Sequence, residues 1–262
     1  MKKMLLLCTG LLLAAGIASA QVTSKNIVGY LKTPATGVYT PSGPTFVQVL
    51  TCTNTTGEAQ WRLGDITVSN MRTAWDYIQI LDPETADTLM FATYSANGLG
   101  GNPDLKGWWE YPTALNNRLD DKLYGFGTGF LTCLDSEDVV FTYTGEVMTD
   151  PVTVDCSGLI YPLIANILPQ DITLGDITVS GMRTAWDYIQ ILDPDTAETL
   201  VFATYSANGL GGNPALKGWW EYPTALNNQL DGMPLKAGQA FLGCFDSDEI
   251  KIHFPSPLAL TP

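Results

Sequence analysis

Short runs of alternating or continuous apolar residues, cut by turn-forming residues, dominate this chain. Ala74 to Leu81 reads AWDYIQIL and Thr88 to Tyr94 reads TLMFATY, both dense in β-branched and aromatic residues. Asp82-Pro-Glu-Thr85 lies between them, so the pair predicts a β-hairpin. Asn97 to Pro103 is a glycine-rich loop, and Trp108 to Tyr111 predicts a further short strand before an Asn116-Asn117 loop. Phe130 to Leu134 and Val139 to Tyr143 predict two more strands joined by the acidic turn Asp135 to Asp138. Phe46 to Leu50 and Ile160 to Ile164 predict the strands that open two successive units. No long amphipathic helix competes, although Pro112 to Leu119 has room for one helical turn.

The pattern occurs twice. Leu63 to Asp120 recurs 111 residues later, from Leu174 to Asp231, with six substitutions. Beyond Asp120 the likeness weakens to a pattern, in which Gly127 to Cys133 matches Gly238 to Cys244, and Asp135 to Asp138 matches Asp246 to Glu249. So sharp an edge points to a recently copied segment inside an older duplication. The substitutions follow ordinary physics. Asn70/Gly181 is the exchange expected at a positive φ. Met90/Val201 keeps an apolar strand position, while Asp104/Ala215 and Arg118/Gln229 change charge and are expected to be exposed. The fold class expected is all-β: two tandem homologous units, sandwich or barrel-like, spanning residues 21–143 and 144–262, each the size of a small domain.

Residues 1–20 change the picture of where those units work. Lys2 and Lys3, an apolar stretch from Met4 to Ile17, and Ala18-Ser-Ala20 form a secretory signal peptide with cleavage expected before Gln21. The apolar run is short for a membrane span, which needs about 20 residues. No transmembrane segment is expected in the mature chain. Cleavage removes two lysines and no acid, leaving 11 basic against 27 acidic residues and a net charge near −16. That balance disfavours nucleic acid and anionic membranes, whose phosphates need Lys/Arg clusters.

Four cysteines remain after cleavage: Cys52, Cys133, Cys156 and Cys244. In an exported chain an even count is consistent with two disulfides, and three pairings are open. There is no Cys-x-x-Cys, so no zinc site and no cofactor is expected.

Several short motifs carry a resemblance. Ser24-Lys-Asn-Ile-Val-Gly-Tyr30, Leu163-Ile-Ala-Asn-Ile-Leu168, Gly127-Thr-Gly-Phe130 and Tyr143-Thr-Gly-Glu-Val147 resemble the N-x-V-G-Y, L-I-A-N-x-L, G-x-G-F and F-x-G-E-V motifs of a group of uncharacterised secreted bacterial β-repeat proteins. The second unit departs from them at Ala240, where the second glycine would fall. The resemblance implies an exported, all-β, surface- or envelope-associated protein, and it supplies no catalytic residues.

Candidate chemistry is sparse. His253 is the single histidine and Thr142 takes its place in the first unit, which leaves no nucleophilic triad. Asp76, Asp82 and Glu110, with Asp187, Asp193 and Glu221, are the carboxylates that a glycosidase mechanism would draw on, but in so acidic a chain they read as solvated charges and turn residues. Gly98 to Asn102 lacks the Lys-Ser/Thr of a phosphate loop and reads as a close backbone turn. Asp135 to Asp138 and Asp246 to Glu249 gather oxygen ligands without a calcium-loop pattern, and read as solvated turns. The candidate ligand-binding residues are Trp108, Trp109, Glu110 and Tyr111, with Trp219, Trp220, Glu221 and Tyr222. Alternation in a strand turns one indole of each pair outward, where a ring face can stack on a sugar unless it is covered; packing in the core or against the other repeat is the reading preferred.

The expected function is therefore that of a secreted, non-enzymatic structural or cell-surface protein of the extracellular matrix or envelope. Its expected partners are matrix components or other copies of itself. The alternative is a glycan-binding module built on the Trp-Trp-Glu-Tyr segments.

Overall fold

The computed structural model describes residues 28–35, 37, 41–42, 60–112, 117–125, 128–146, 150–193, 195–196, 198–223 and 228–257. The signal peptide expected at residues 1–20, the strand expected at Phe46 to Leu50, and Cys52 lie outside these residues.

The fold is all-β. In chain order the first part forms β1 (Val28–Pro34), β2 (Pro41–Ser42), β3 (Gln60–Arg62), β4 (Ile66–Ser69), β5 (Tyr77–Leu81), β6 (Thr88–Ser95), β7 (Gly107–Glu110), β8 (Leu123–Gly125), β9 (Phe130–Cys133) and β10 (Val140–Glu146). The second part forms β11 (Val152–Asp155), β12 (Leu163–Ala165), β13 (Ile172–Thr173), β14 (Thr178–Ser180), β15 (Tyr188–Leu192), β16 (Thr199–Ser206), β17 (Gly218–Glu221), β18 (Pro234–Leu235), β19 (Ala240–Cys244) and β20 (Lys251–Phe254). Among the described residues, helical segments are 3-10 turns of three residues.

Among the described residues all strand pairings are antiparallel. The first part builds a three-stranded sheet β1-β10-β4, a five-stranded sheet β2-β9-β5-β6-β7 and the ribbon β3-β8. The second builds β11-β20-β14, β12-β19-β15-β16-β17 and β13-β18 in the same order. The expected hairpin is β5-β6, with Ile78 opposite Ala92 and a register shift after Ile80 where the Asp82 turn begins.

Alternation sets the core. Ile66 and Val68 of β4, Ile78 and Ile80 of β5, and Phe141 and Tyr143 of β10 turn inward. The five-stranded sheet thus packs on the three-stranded one, and Phe130 meets Phe141 at 5.5 Å between ring centres. Buried apolar side chains form two large clusters, one drawn from residues 61–143 and the other from 152–254. Between them the chain is tied by backbone. Pro83 O at the first hairpin tip accepts from the amides of Ile160 (3.1 Å) and Tyr161 (2.6 Å), and Gly129 N–H donates to Leu163 O.

Two turn expectations have direct counterparts. Asn70 and Gly181 both adopt positive φ, at 64° and 84°. At Gly98 (φ 79°) an added Cβ would lie 1.6 Å from Asn102 O, so the loop closes backbone against backbone. The Leu163–Leu168 motif also gains a physical reason. Asn166 is buried, its side-chain amide donates to Gln170 O and Leu235 O, and its Oδ1 accepts from Leu168 N–H.

Tyr124 of β8 packs on Trp61 at 4.9 Å, and burial raises its hydroxyl from near 10 to about 12. The neutral phenol is the form the fold favours. Its contribution is full below pH 10 and is lost as pH rises towards about 12. Tyr124→Phe is expected to flatten that decline, read as urea midpoints at about pH 9 and about pH 11.

Candidate functional site

The Trp-Trp-Glu-Tyr segments form the edge strands β7 and β17. Alternation holds for direction. Trp108 points into the core, where its indole N–H donates to Ile66 O at 2.7 Å and its ring meets Tyr94 at 5.3 Å. Trp109 points to the opposite face, beside Thr93 of β6.

Of the two readings of the indole pairs, packing is the one found: both members of each pair are buried. Trp109 and Trp220 are each only 6 % exposed. The cover is local. The Trp109 indole N–H donates to Leu105 O at 3.1 Å, and the Arg118 guanidinium lies 5.9 Å from the ring centre. Trp220 makes the matching bond to Leu216 O at 3.0 Å. Glu110 and Glu221 accept from the side-chain amides of Asn117 and Asn228 at the strand ends.

Asp76 and Asp82 are placed apart. Asp76 is buried in front of β5, and Asp82 caps the hairpin tip by accepting the amides of Glu84 and Thr85. Five extended residues separate Asp76 and Asp82, about 20 Å of strand. A glycosidase pair requires about 5–10 Å. Asp193 repeats the cap on the amides of Asp195 and Thr196.

Asp76 has a structural task that its sequence did not reveal. Oδ1 accepts from the amides of Asp135 (2.7 Å) and Ser136 (2.9 Å). Oδ2 accepts from the amide of Arg72 at 2.6 Å and from the Ser136 hydroxyl. It therefore shapes the acidic turn, while the Arg72 guanidinium pairs with Asp135. Asp187, Arg183, Asp246 and Ser247 reproduce the set. His253 is likewise held, with Nδ1 2.9 Å from Thr153 Oγ1 and Nε2 3.0 Å from Ser180 Oγ.

The disulfide expectation is corrected: Cys133, Cys156 and Cys244 are free thiols, all buried. Cys156 sits in the second core, where burial pushes its thiol up to about 12. Burial also raises Cys133 and Cys244, against the opposing effect of hydrogen bonds from their tyrosine and glutamine neighbours. Only thiolates alkylate readily. Iodoacetamide at about pH 8 is expected to label these three sites slowly in the folded protein and completely in denaturant, counted by peptide mass.

Tyr111 and Tyr222, the last candidates of each segment, belong instead to an exposed aromatic surface. On the outer face of the five-stranded sheet Tyr77 and Tyr111 stack at 4.6 Å with 14° between planes, and Phe91 packs edge-on against Tyr77 at 5.6 Å. The Tyr111 hydroxyl lies 3.4 Å from Ala74 O, next to Trp75, which is 64 % exposed. In the second copy Tyr188 and Tyr222 stack at 4.7 Å, Phe202 takes the edge-on place at 5.6 Å, and Trp186 is 63 % exposed. Sequence reading assigned Trp75 to a strand beginning at Ala74; the strand begins at Tyr77, because Asp76 ties residues 72–76 into a turn. The Arg72/Asp76 spacing was the available signal.

A shallow polar groove of about 370 Å³ lies in the first copy beside Arg62, Asp65, Lys106, Arg118, Asp120 and Asp121. Arg118 pairs with Asp120 and Arg62 with Asp121. Burial raises the Asp65 carboxyl, opposed by Arg62. Thr173, Gln229 and Gly232 take the corresponding positions of the second copy, so this charge pattern is not duplicated.

No family model matches the chain, and no curated protein or solved structure matches it.

Proposed function

We propose that this chain is an exported, non-enzymatic structural or surface protein, made of two β units at residues 21–143 and 144–262. The observation that carries the reading is the use made of Asp76 and Asp187. These buried carboxylates spend their acceptor capacity on shaping turns. The indole pairs, the strand-end glutamates and His253 are also engaged in holding the fold. The signal-like opening, the acidic surface and the resemblance to secreted β-repeat proteins support the same conclusion. Envelope or matrix components are its proposed surroundings.

The test is the intact mass and location of the native protein. It is expected in the extracellular or envelope fraction with Gln21 as its first residue. Recovery from the cytosol with Met1 retained would overturn the reading.

A further inference from the structure

We propose that the two outer aromatic strips, Tyr77–Tyr111–Phe91 with neighbouring Trp75 and Tyr188–Tyr222–Phe202 with neighbouring Trp186, are binding sites for a neutral polysaccharide. This deepens the exported-protein reading and moves the glycan site away from the buried indole pairs.

The strip is a built surface. Tyr77, Tyr111 and Phe91 brace one another through a parallel stack and an edge contact, and all three are anchored at the sheet. Tyr111 N–H is bonded to Phe91 O at 3.0 Å, which fixes where its ring stands. The Trp75 backbone is fixed by its amide bond to Arg72 O, on the turn that Asp76 ties down, and its indole is largely exposed. Ligand contact then orders few additional torsions, which lowers the entropy cost of binding.

The chemistry selects the occupant. Ring faces pack on the C–H faces of pyranoses, and the hydroxyls of a sugar need hydrogen-bonding groups beside the ring. The exposed Arg72–Asp135 ion pair and the Tyr111 hydroxyl stand at the edge of the strip and supply both donors and acceptors. The second copy offers Arg183–Asp246 and the Tyr222 hydroxyl in the same way.

Charge removes the competitors. With 27 acidic against 13 basic residues in the full chain, an acidic polymer or a second copy meets a net repulsion from the molecule as a whole. A neutral glycan meets none. Two strips in one chain also suit a repeating polymer, which offers many equivalent positions for rebinding.

Affinity electrophoresis of the full mature protein tests this, in native gels containing hydroxyethylcellulose, xylan, galactomannan or laminarin, with alginate as the charged comparison. Retardation is expected in at least one neutral gel and should be insensitive to salt. The double variant Trp75→Ala/Trp186→Ala should lose it by about thirtyfold in affinity, the scale of a truncated aromatic anchor. The melting temperature of the variant should stay near that of the parent, because both side chains are largely exposed. Absence of retardation in every neutral gel, retardation by alginate alone, or undiminished retardation of the double variant would overturn the proposal. So would a parent dimer in sedimentation velocity that the double variant disperses, since the strip would then belong to a second copy. Export is read separately from the mature N-terminus, so failure of one leaves the other standing.

Discussion

Trp108→Ala is expected to lower stability by about 3–5 kcal/mol, the usual cost of deleting a large buried aromatic. Trp108 has no exposed surface and joins the two sheets of its unit, through Tyr94 on β6 and the Ile66 carbonyl on β4. Truncation leaves a cavity between the sheets and takes away the carbonyl's indole partner. Trp108→Phe keeps most of the volume and should cost about 1–3 kcal/mol, the penalty for a lost buried hydrogen bond. Urea midpoints at a constant denaturant slope give both values. A loss below about 1 kcal/mol for the alanine variant would mean that the indole is not a core element.

The second large effect belongs to Asp76. Asp76→Asn is nearly isosteric, yet it replaces one acceptor oxygen with a donor that faces other donors. Oδ1 serves two backbone amides, and Oδ2 serves the Arg72 amide and the Ser136 hydroxyl. Either orientation of the asparagine amide opposes N–H to N–H at one backbone contact or more. Hydrogen bonds to a charged group are worth about 1.5–3 kcal/mol each, so a loss of about 3 kcal/mol is expected. Urea unfolding of this variant should show a lower midpoint, whereas Asp82→Asn, at an exposed hairpin tip, should change stability by less than about 1 kcal/mol. Equal effects at the two positions would contradict the role given to Asp76.

Local pattern made the strands legible. Period-two alternation and the Asp82–Thr85 turn located β5 and β6, and the 111-residue repeat anticipated that β15 to β17 would follow β5 to β7. The direction of Trp108 and Trp109 was legible for the same reason. Whether Trp109 was covered was not, because its cover comes from Leu105 and Arg118, whose approach depends on loop geometry rather than on period. The role of Asp76 was hidden by distance: its turn partners lie 59 and 60 residues away. Cysteine counting failed similarly, since an even number says nothing about whether thiols meet, and Cys133 instead faces Gln79 on the neighbouring strand at 3.0 Å.

Limited oxidation by N-bromosuccinimide, mapped by peptide mass spectrometry, tests most directly where the usable aromatic surface lies. The chain has seven tryptophans, of which Trp61 and the two pairs are buried while Trp75 and Trp186 are largely exposed. In the folded protein Trp75 and Trp186 should be oxidised first, with the other five protected until the protein is unfolded. Early oxidation of Trp109 or Trp220, with Trp75 and Trp186 protected, would contradict the account and return the candidate surface to the Trp-Trp-Glu-Tyr segments.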